Sequence, residues 1–204
     1  MAKLIEEIED ELFPNHGIRY SCGFLSLWVI DVFFTLIQQR FFMAVLDTSA
    51  LLNWPIERCK GEIVSILQQS ELENVDQQRW LLIDSLEMDW RTATADERQR
   101  AIEIASQTGD LPRLSDVDID LLALAIANKT KLVTDDYRMK NVARSAGVSV
   151  EGVMTTGGKK QWKWVLRCIG CRQTEEVSSD AHRSRNDDVK TCDRCGSPMK
   201  LKRG

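Results

Sequence analysis

Two cysteine pairs, Cys168-x-x-Cys171 and Cys192-x-x-Cys195, constrain the C-terminal end of this 204-residue chain more than any other feature. Two knuckles with this spacing bring four thiolates around one ion, and a tetrahedron of sulfur donors is the donor set of a structural Zn²⁺. The segment that carries them, residues 165–204, is too short to bury a core of its own, so the metal must supply much of its folding energy. Cys22 and Cys59 stand alone. Four of six cysteines paired in this way favour a metal in a reducing compartment over a disulfide framework.

Charge divides along the same line. Residues 157–204 hold twelve Lys and Arg against six Asp and Glu, a local balance of +6 inside a chain whose formal charge is −4. An acidic body suits divalent cations and a basic tail suits a polyanion; a solvated charged tail is the alternative. Residues 1–42 open with Glu6, Glu7, Glu9, Asp10 and Glu11 and continue into an apolar run from Gly23 to Ile37 interrupted by Asp31. That run is too short and too charged for a membrane span, and it lacks the basic start and small-residue cleavage site of a secretory signal. Either these residues are an extension ahead of a domain that begins at Met43, or they form a helix that packs on that domain or on a membrane.

From Met43 onward, short apolar segments alternate with longer helical ones, the pattern of an α/β domain with a parallel sheet covered by helices. Ala44–Leu46 reads as a buried strand, followed by a short helix that Thr48 or Ser49 can cap and Trp54-Pro55 ends. Residues 62–69 and 77–86 read as helices. Thr94-Ala-Asp-Glu97 and Ser115-Asp-Val-Asp118 have the spacing of capping boxes, and the helix after Ser115 is so apolar that it must lie inside. Lys131–Thr134 reads as a strand, Tyr137–Ser145 as a helix and 148–153 as a last strand. The expected organisation is an N-terminal extension (1–42), an α/β domain (43–153), a linker (154–164) containing Thr155-Thr-Gly-Gly158, and the zinc ribbon (165–204).

Within this frame Asp47 and the pair Asp135-Asp136 fall at strand ends, and Asp118 in the first turn of the central helix. The crevice beyond the carboxyl ends of parallel strands is where such sheets bind ligands. Clustered carboxylates without His or Cys suit hard cations such as Mg²⁺ or Mn²⁺. Each acid has a local explanation as well, since Asp118 can cap a helix and Asp135 or Asp136 can close a turn.

Three stretches, Met43-Ala-Val-Leu-Asp-Thr-Ser-Ala-Leu51, Leu114-Ser-Asp-Val-Asp-Ile-Asp-Leu-Leu-Ala-Leu124 and Leu132-Val-Thr-Asp-Asp-Tyr-Arg-Met-Lys-Asn-Val-Ala143, resemble the motifs of PIN-domain nucleases. With the four-cysteine ribbon behind them, residues 43–204 resemble the Nob family, which trims the 3′ end of small-subunit ribosomal RNA. The resemblance implies a divalent-metal-dependent endoribonuclease. Asp47, Asp118 and Asp136 would hold Mg²⁺ or Mn²⁺, with Asp135 orienting them or substituting for one. A glutamate would complete the set: Glu71 matches best, with Glu73 and Glu62 as fallbacks, although the strand and proline usual before it are not legible. It also implies Zn²⁺ on Cys168, Cys171, Cys192 and Cys195, pre-rRNA and a small-subunit precursor as partners without DNA or membrane, and a cytoplasmic location.

For the ribbon, Trp162 and Trp164 offer stacking surfaces for unpaired bases, and Lys160, Lys163 and Arg167 can follow phosphates. Alternatively the tryptophans pack the ribbon against the main domain. Two other functions remain open at this point: a toxin-type PIN ribonuclease of the VapC kind, against which the appended ribbon argues, and a catalytically silent RNA-binding scaffold.

Overall fold

The computed structural model describes residues 43–154, 163–182 and 188–204. The N-terminal extension and the proposed linker residues 155–162, including Lys160 and Trp162, lie outside the described residues. The described residues form one compact unit.

Five parallel strands make the first sheet: β1 (Ala44–Leu46), β2 (Ile63–Ser65), β3 (Asp89–Arg91), β4 (Lys131–Val133) and β5 (Val150–Glu151), in the order β3-β2-β1-β4-β5. Side chains alternate across the pleat. Val45, Ile63 and Leu132 enter one apolar cluster, while Ala44, Leu46, Val64 and Val133 enter another on the opposite face. Both faces are therefore covered, which is why the central strands read as uninterrupted apolar runs.

One face is covered by α1 (Thr48–Asn53), α2 (Ile56–Cys59), α3 (Gln69–Val75) and α4 (Gln77–Asp84), which supply Leu51, Cys59, Leu72 and Ile83. The other carries α5 (Ala95–Thr108), α6 (Asp116–Ala127) and α7 (Tyr137–Ser145). Every residue of α6 from Ile119 to Ala125 is buried, all of them apolar except Asp120, whose carboxylate accepts from Ser65 Oγ (2.6 Å) and pairs with Arg98 (2.8 Å). Thr94 and Ser115 close capping boxes with Glu97 and Asp118, as their spacing predicts.

The helix expected over 62–69 is not formed as such. Residues 63–65 are strand β2, all buried, and a 3-10 turn (Ile66–Gln68) leads into α3. Pairing of β2 with both β1 and β3 overrides the local helical reading, which the helical turns immediately after Ser65 favour. Ser65 starts the turn with a capping box whose third residue is Gln68.

The second sheet is antiparallel, ordered β7-β6-β9-β8, from β6 (Trp164–Cys168), β7 (Thr174–Glu175), β8 (Asp188–Thr191) and β9 (Pro198–Arg203). Its inward residues Leu166, Met199 and Leu201 belong to the same apolar cluster as α5, α6 and α7. Where the two sheets meet, Gly109 ends α5 with φ +80°, and a Cβ there would lie 2.0 Å from the Trp164 carbonyl oxygen. Only glycine permits both the left-handed backbone and this approach.

Candidate active site

Strands β1 and β4 are neighbours, so the residues that follow them, Asp47 and Thr134, emerge side by side. Thr134 Oγ1 donates to Asp47 Oδ2 (2.6 Å) and accepts from the Asp136 N–H (3.0 Å). One hydroxyl thus ties the acid of the first strand to the acid after the fourth. Asp47 also accepts from Ser49 Oγ (3.0 Å) and from the Thr48 N–H (2.6 Å).

The local roles of these acids and their convergence are one arrangement. Asp47 is the N-cap of α1, Asp136 the N-cap of α7, and Asp118 the third residue of α6, where its Oδ2 accepts from the Ser115 N–H (2.7 Å). Three helix N-termini face the cluster and partly offset its negative charge. The offset is incomplete. Burial, foremost, pushes the carboxyls of Asp47 and Asp118 above the usual range; the charge of Asp136 adds to both, and that of Asp47 adds to Asp118. Hydrogen bonds from Thr134, Ser49 and Thr48 pull Asp47 back without reversing the shift.

Glu71, exposed on α3, is the glutamate that reaches the group: its Oε2 accepts from Thr48 Oγ1 (3.1 Å). Glu62 accepts instead from the N–H of Ala44, at the opposite end of β1 from Asp47. Glu73, two residues beyond Glu71, projects about 200° around the same helix. Asp135 is also turned elsewhere. Its carboxylate accepts from the Val153 and Met154 amides (3.1 and 2.9 Å) and pairs with buried Lys140 (3.3 Å), tying α7 to the segment after β5.

The four thiols form a tighter group. The Sγ atoms of Cys168, Cys171, Cys192 and Cys195 all lie within 4.8 Å of one another, and no other set of three or more His, Cys, Asp or Glu ligand atoms does so among the described residues. Cys168 lies 3.3 Å from Cys195 and Cys171 lies 3.6 Å from Cys192, far beyond a disulfide bond and near the ~3.8 Å edge of a Zn–S tetrahedron. The amides of Gly170 and Cys171 donate to Cys168 Sγ (3.3 and 3.4 Å), the turn geometry of a metal knuckle.

Comparison with known proteins gives the family. The family model described as the PIN domain of ribonuclease matches residues 44–127. The chain is 34% identical over 131 residues to Endoribonuclease Nob1 of Pyrococcus abyssi, covering 62% of this chain and 75% of that one. Against Endoribonuclease Nob1 of Methanocaldococcus jannaschii it is 29% identical over 189 residues, 88% of this chain and 89% of the relative. Ribonuclease VapC1 of Thermoplasma acidophilum is 31% identical over 159 residues, 76% of each chain. The chain belongs to the PIN-domain, zinc-ribbon endoribonucleases of the Nob family.

In this PIN domain the donor chemistry separates two kinds of metal. Four soft sulfurs at tetrahedral spacing fit Zn²⁺. The acids offer only hard oxygens, spread more widely than the thiols, which fits a cation that keeps several waters. Trp164 is half-buried under the guanidinium groups of Arg138 (5.0 Å) and Arg203 (5.9 Å), its indole nitrogen buried, so it packs the ribbon against the PIN domain. Lys163 and Arg167 are exposed, Lys163 pairing with Glu176 at 2.5 Å.

Two polar residues escape a reading of the sequence. Asp110 is fully buried beside the site, accepting from Asn141 Nδ2 (2.6 Å); burial, foremost, raises its pKa to about 6, and the charge of Asp136 adds to the shift. Gln68 is also fully buried, and the capping-box spacing Ser65-x-x-Gln68 is the signal that marks it.

Proposed function

We propose that this endoribonuclease is divalent-metal dependent, that Asp47, Glu71, Asp118 and Asp136 hold its Mg²⁺ or Mn²⁺, and that its substrate is the 3′ end of small-subunit ribosomal RNA within a precursor particle in the cytoplasm. The observation that carries the reading is the hydrogen-bonded joining of Asp47 to Thr134 and Asp136, with Asp118 electrostatically adjacent and Glu71 held by Thr48. Carboxylates that burial and mutual repulsion make reluctant to ionise are stabilised when a cation shares them.

Asp47, Glu71, Asp118 and Asp136 would hold a divalent ion, and the chemistry it would supply is polarisation of the scissile phosphate and acidification of a water. The chain's own part is to hold the acids at strand ends, where Thr134, Ser49 and Thr48 fix their orientation, and to leave Asp136 and Glu71 open to an incoming backbone. No side-chain nucleophile is required. Asp135 acts structurally in this reading, as the anchor of the segment after β5.

The organisation supports separate tasks for residues 43–153 and 165–204. The ribbon, with Zn²⁺ on its four cysteines, adds affinity for RNA through Lys163 and Arg167 and through Lys160 and Trp162 ahead of it. The resemblance to the Nob family and the ribbon itself favour ribosomal RNA. The similarity to Ribonuclease VapC1, over three-quarters of both chains, supports a second reading in which the substrate is another RNA. A scaffold without activity is disfavoured by the family and by a glutamate held on the Thr48 hydroxyl, next to Asp47 in the chain.

Cleavage of a precursor RNA spanning the small-subunit 3′ end, with Mn²⁺, tests the proposal. Wild type is expected to cut at one position and Asp47→Asn to fail. Equal cutting by both proteins defeats the nuclease site, and indifference between this RNA and unrelated RNAs transfers support to the VapC-like reading.

A further inference from the structure

Gln68 is the only fully buried glutamine among the described residues, and its side chain makes three hydrogen bonds. Its Oε1 accepts from the Ser65 N–H (2.9 Å). Its Nε2 donates to the Leu46 carbonyl (3.1 Å) and to Thr48 Oγ1 (3.2 Å). A side-chain amide can usually be turned over with little change in shape, but not here, because an N–H only donates and a carbonyl only accepts. Ser65 and Leu46 therefore fix which end of the amide faces Thr48.

The consequence passes outward through one hydroxyl. Thr48 Oγ1 has a single proton, and the Gln68 amide approaches it as a donor, occupying a lone pair. The Thr48 proton is left for Glu71 Oε2, 3.1 Å away. The backbone N–H of the same threonine donates to Asp47 Oδ1 at 2.6 Å. Thr48 thus holds two of the four acids, and the direction of its hydroxyl is set from inside the core. Glu71 is exposed and its helix has only seven residues, so without this bond its side chain is free to leave the site.

We propose that Gln68 is a positioning residue for the metal site, acting through Thr48 on Glu71. It rests on the metal-binding reading above and extends it to a residue that touches neither metal nor substrate. Loss of an outer-shell partner of this kind weakens metal affinity by about 10–100-fold. The effect of Gln68 belongs at the lower end, since three acids keep their places.

The test is a titration of the zinc-loaded full chain with Mn²⁺, free ion being followed by its paramagnetic resonance signal, with melting temperature as a check on folding. Gln68→Met and Thr48→Val are each expected to weaken Mn²⁺ binding about tenfold, and Thr48→Ser to bind as wild type does. In the Thr48→Val background, Gln68→Met should add nothing, because the relay is already cut; a general loss of packing would add its effect again. Gln68→Glu keeps the shape and the Ser65 cap but draws the Thr48 proton inward, so it should also weaken binding. It is the deciding variant if Gln68→Met does not fold. Wild-type affinity in a folded Gln68→Glu protein, or additive losses in the double variant, overturns the positioning role alone. A wild-type chain that takes up no Mn²⁺ overturns the metal site and this inference with it.

Discussion

The five parallel strands of the PIN domain are covered on both faces by helices, whereas the four ribbon strands close around four thiols and borrow the core of α5–α7 for Leu166, Met199 and Leu201. The acids proposed to hold the catalytic metal sit on the first scaffold, the inferred structural metal in the second. A carboxylate cluster that repels itself needs a frame whose stability comes from elsewhere, and apolar burial on two faces supplies it. A small sheet needs its ion in order to fold, so the thiols belong to its stability.

The largest effect that sharpens the contrast is expected at Asp47. Asp47→Asn should lower Mn²⁺-dependent cleavage by more than about 100-fold, beyond the range typical of outer-shell groups, while zinc content and helical circular dichroism stay as in wild type. A matching loss of zinc would break the separation of the two regions. Next comes Cys168→Ser, which removes a ligand of a site whose metal contributes about 10–16 kcal/mol in small zinc modules. Zinc measured by mass spectrometry should fall from one equivalent to none, with the PIN helices retained and RNA affinity reduced.

A pair of glycine substitutions measures how firmly the ribbon is seated. Gly147 has φ +76° with nothing within 4 Å of an added Cβ, so Gly147→Ala should cost about 1–2 kcal/mol from backbone strain alone. Gly109→Ala carries the same strain plus the collision with Trp164, and the excess, about 1–3 kcal/mol by denaturant titration, reports the contact between the regions. Equal costs would mean that the ribbon yields freely.

The smallest effect concerns pH. Asp110 is raised to about 6 from an ordinary 3.8, so the folded chain holds a proton there that the unfolded chain releases. Its contribution is fully present below about 4 and is lost as pH rises through about 6. Asp110→Asn should therefore raise the melting temperature relative to wild type more at pH 7 than at pH 4.5. The opposite order would show that the pairing of Asp110 with Arg138, 3.5 Å away, outweighs its burial. On the same sign, the raised Asp47 and Asp118 bind cations less well as pH falls.

Much of this was readable along the chain, though unevenly. The two capping boxes at Thr94 and Ser115 were legible because each is closed within four residues. Strands β2 and β3 were not: β2 runs straight into a 3-10 turn and α3, and β3 is Asp89-Trp90-Arg91, with no apolar run to mark it. The glutamate was ambiguous for a related reason: the bond that distinguishes Glu71 from Glu73 and Glu62 comes from Thr48, 23 residues away. Trp164 looked equally suited to a base or to a core, and its place against Gly109 and Arg138 decides for packing.

The residues alone determined the kinds of donor present, sulfur in one segment and oxygen in the other, together with the capped helices α5 and α6 and the α/β class, because donor chemistry and capping act over a few neighbouring positions. Which acids meet was decided only in three dimensions. Thr134 reaches Asp47 across 87 residues because β1 and β4 pair in parallel, and Asp135 reaches the segment beyond β5 across 18, whereas the bond from the Asp136 N–H to Thr134 is local. Long-range strand order has no local signature, since it follows from how both faces of a sheet are buried at once.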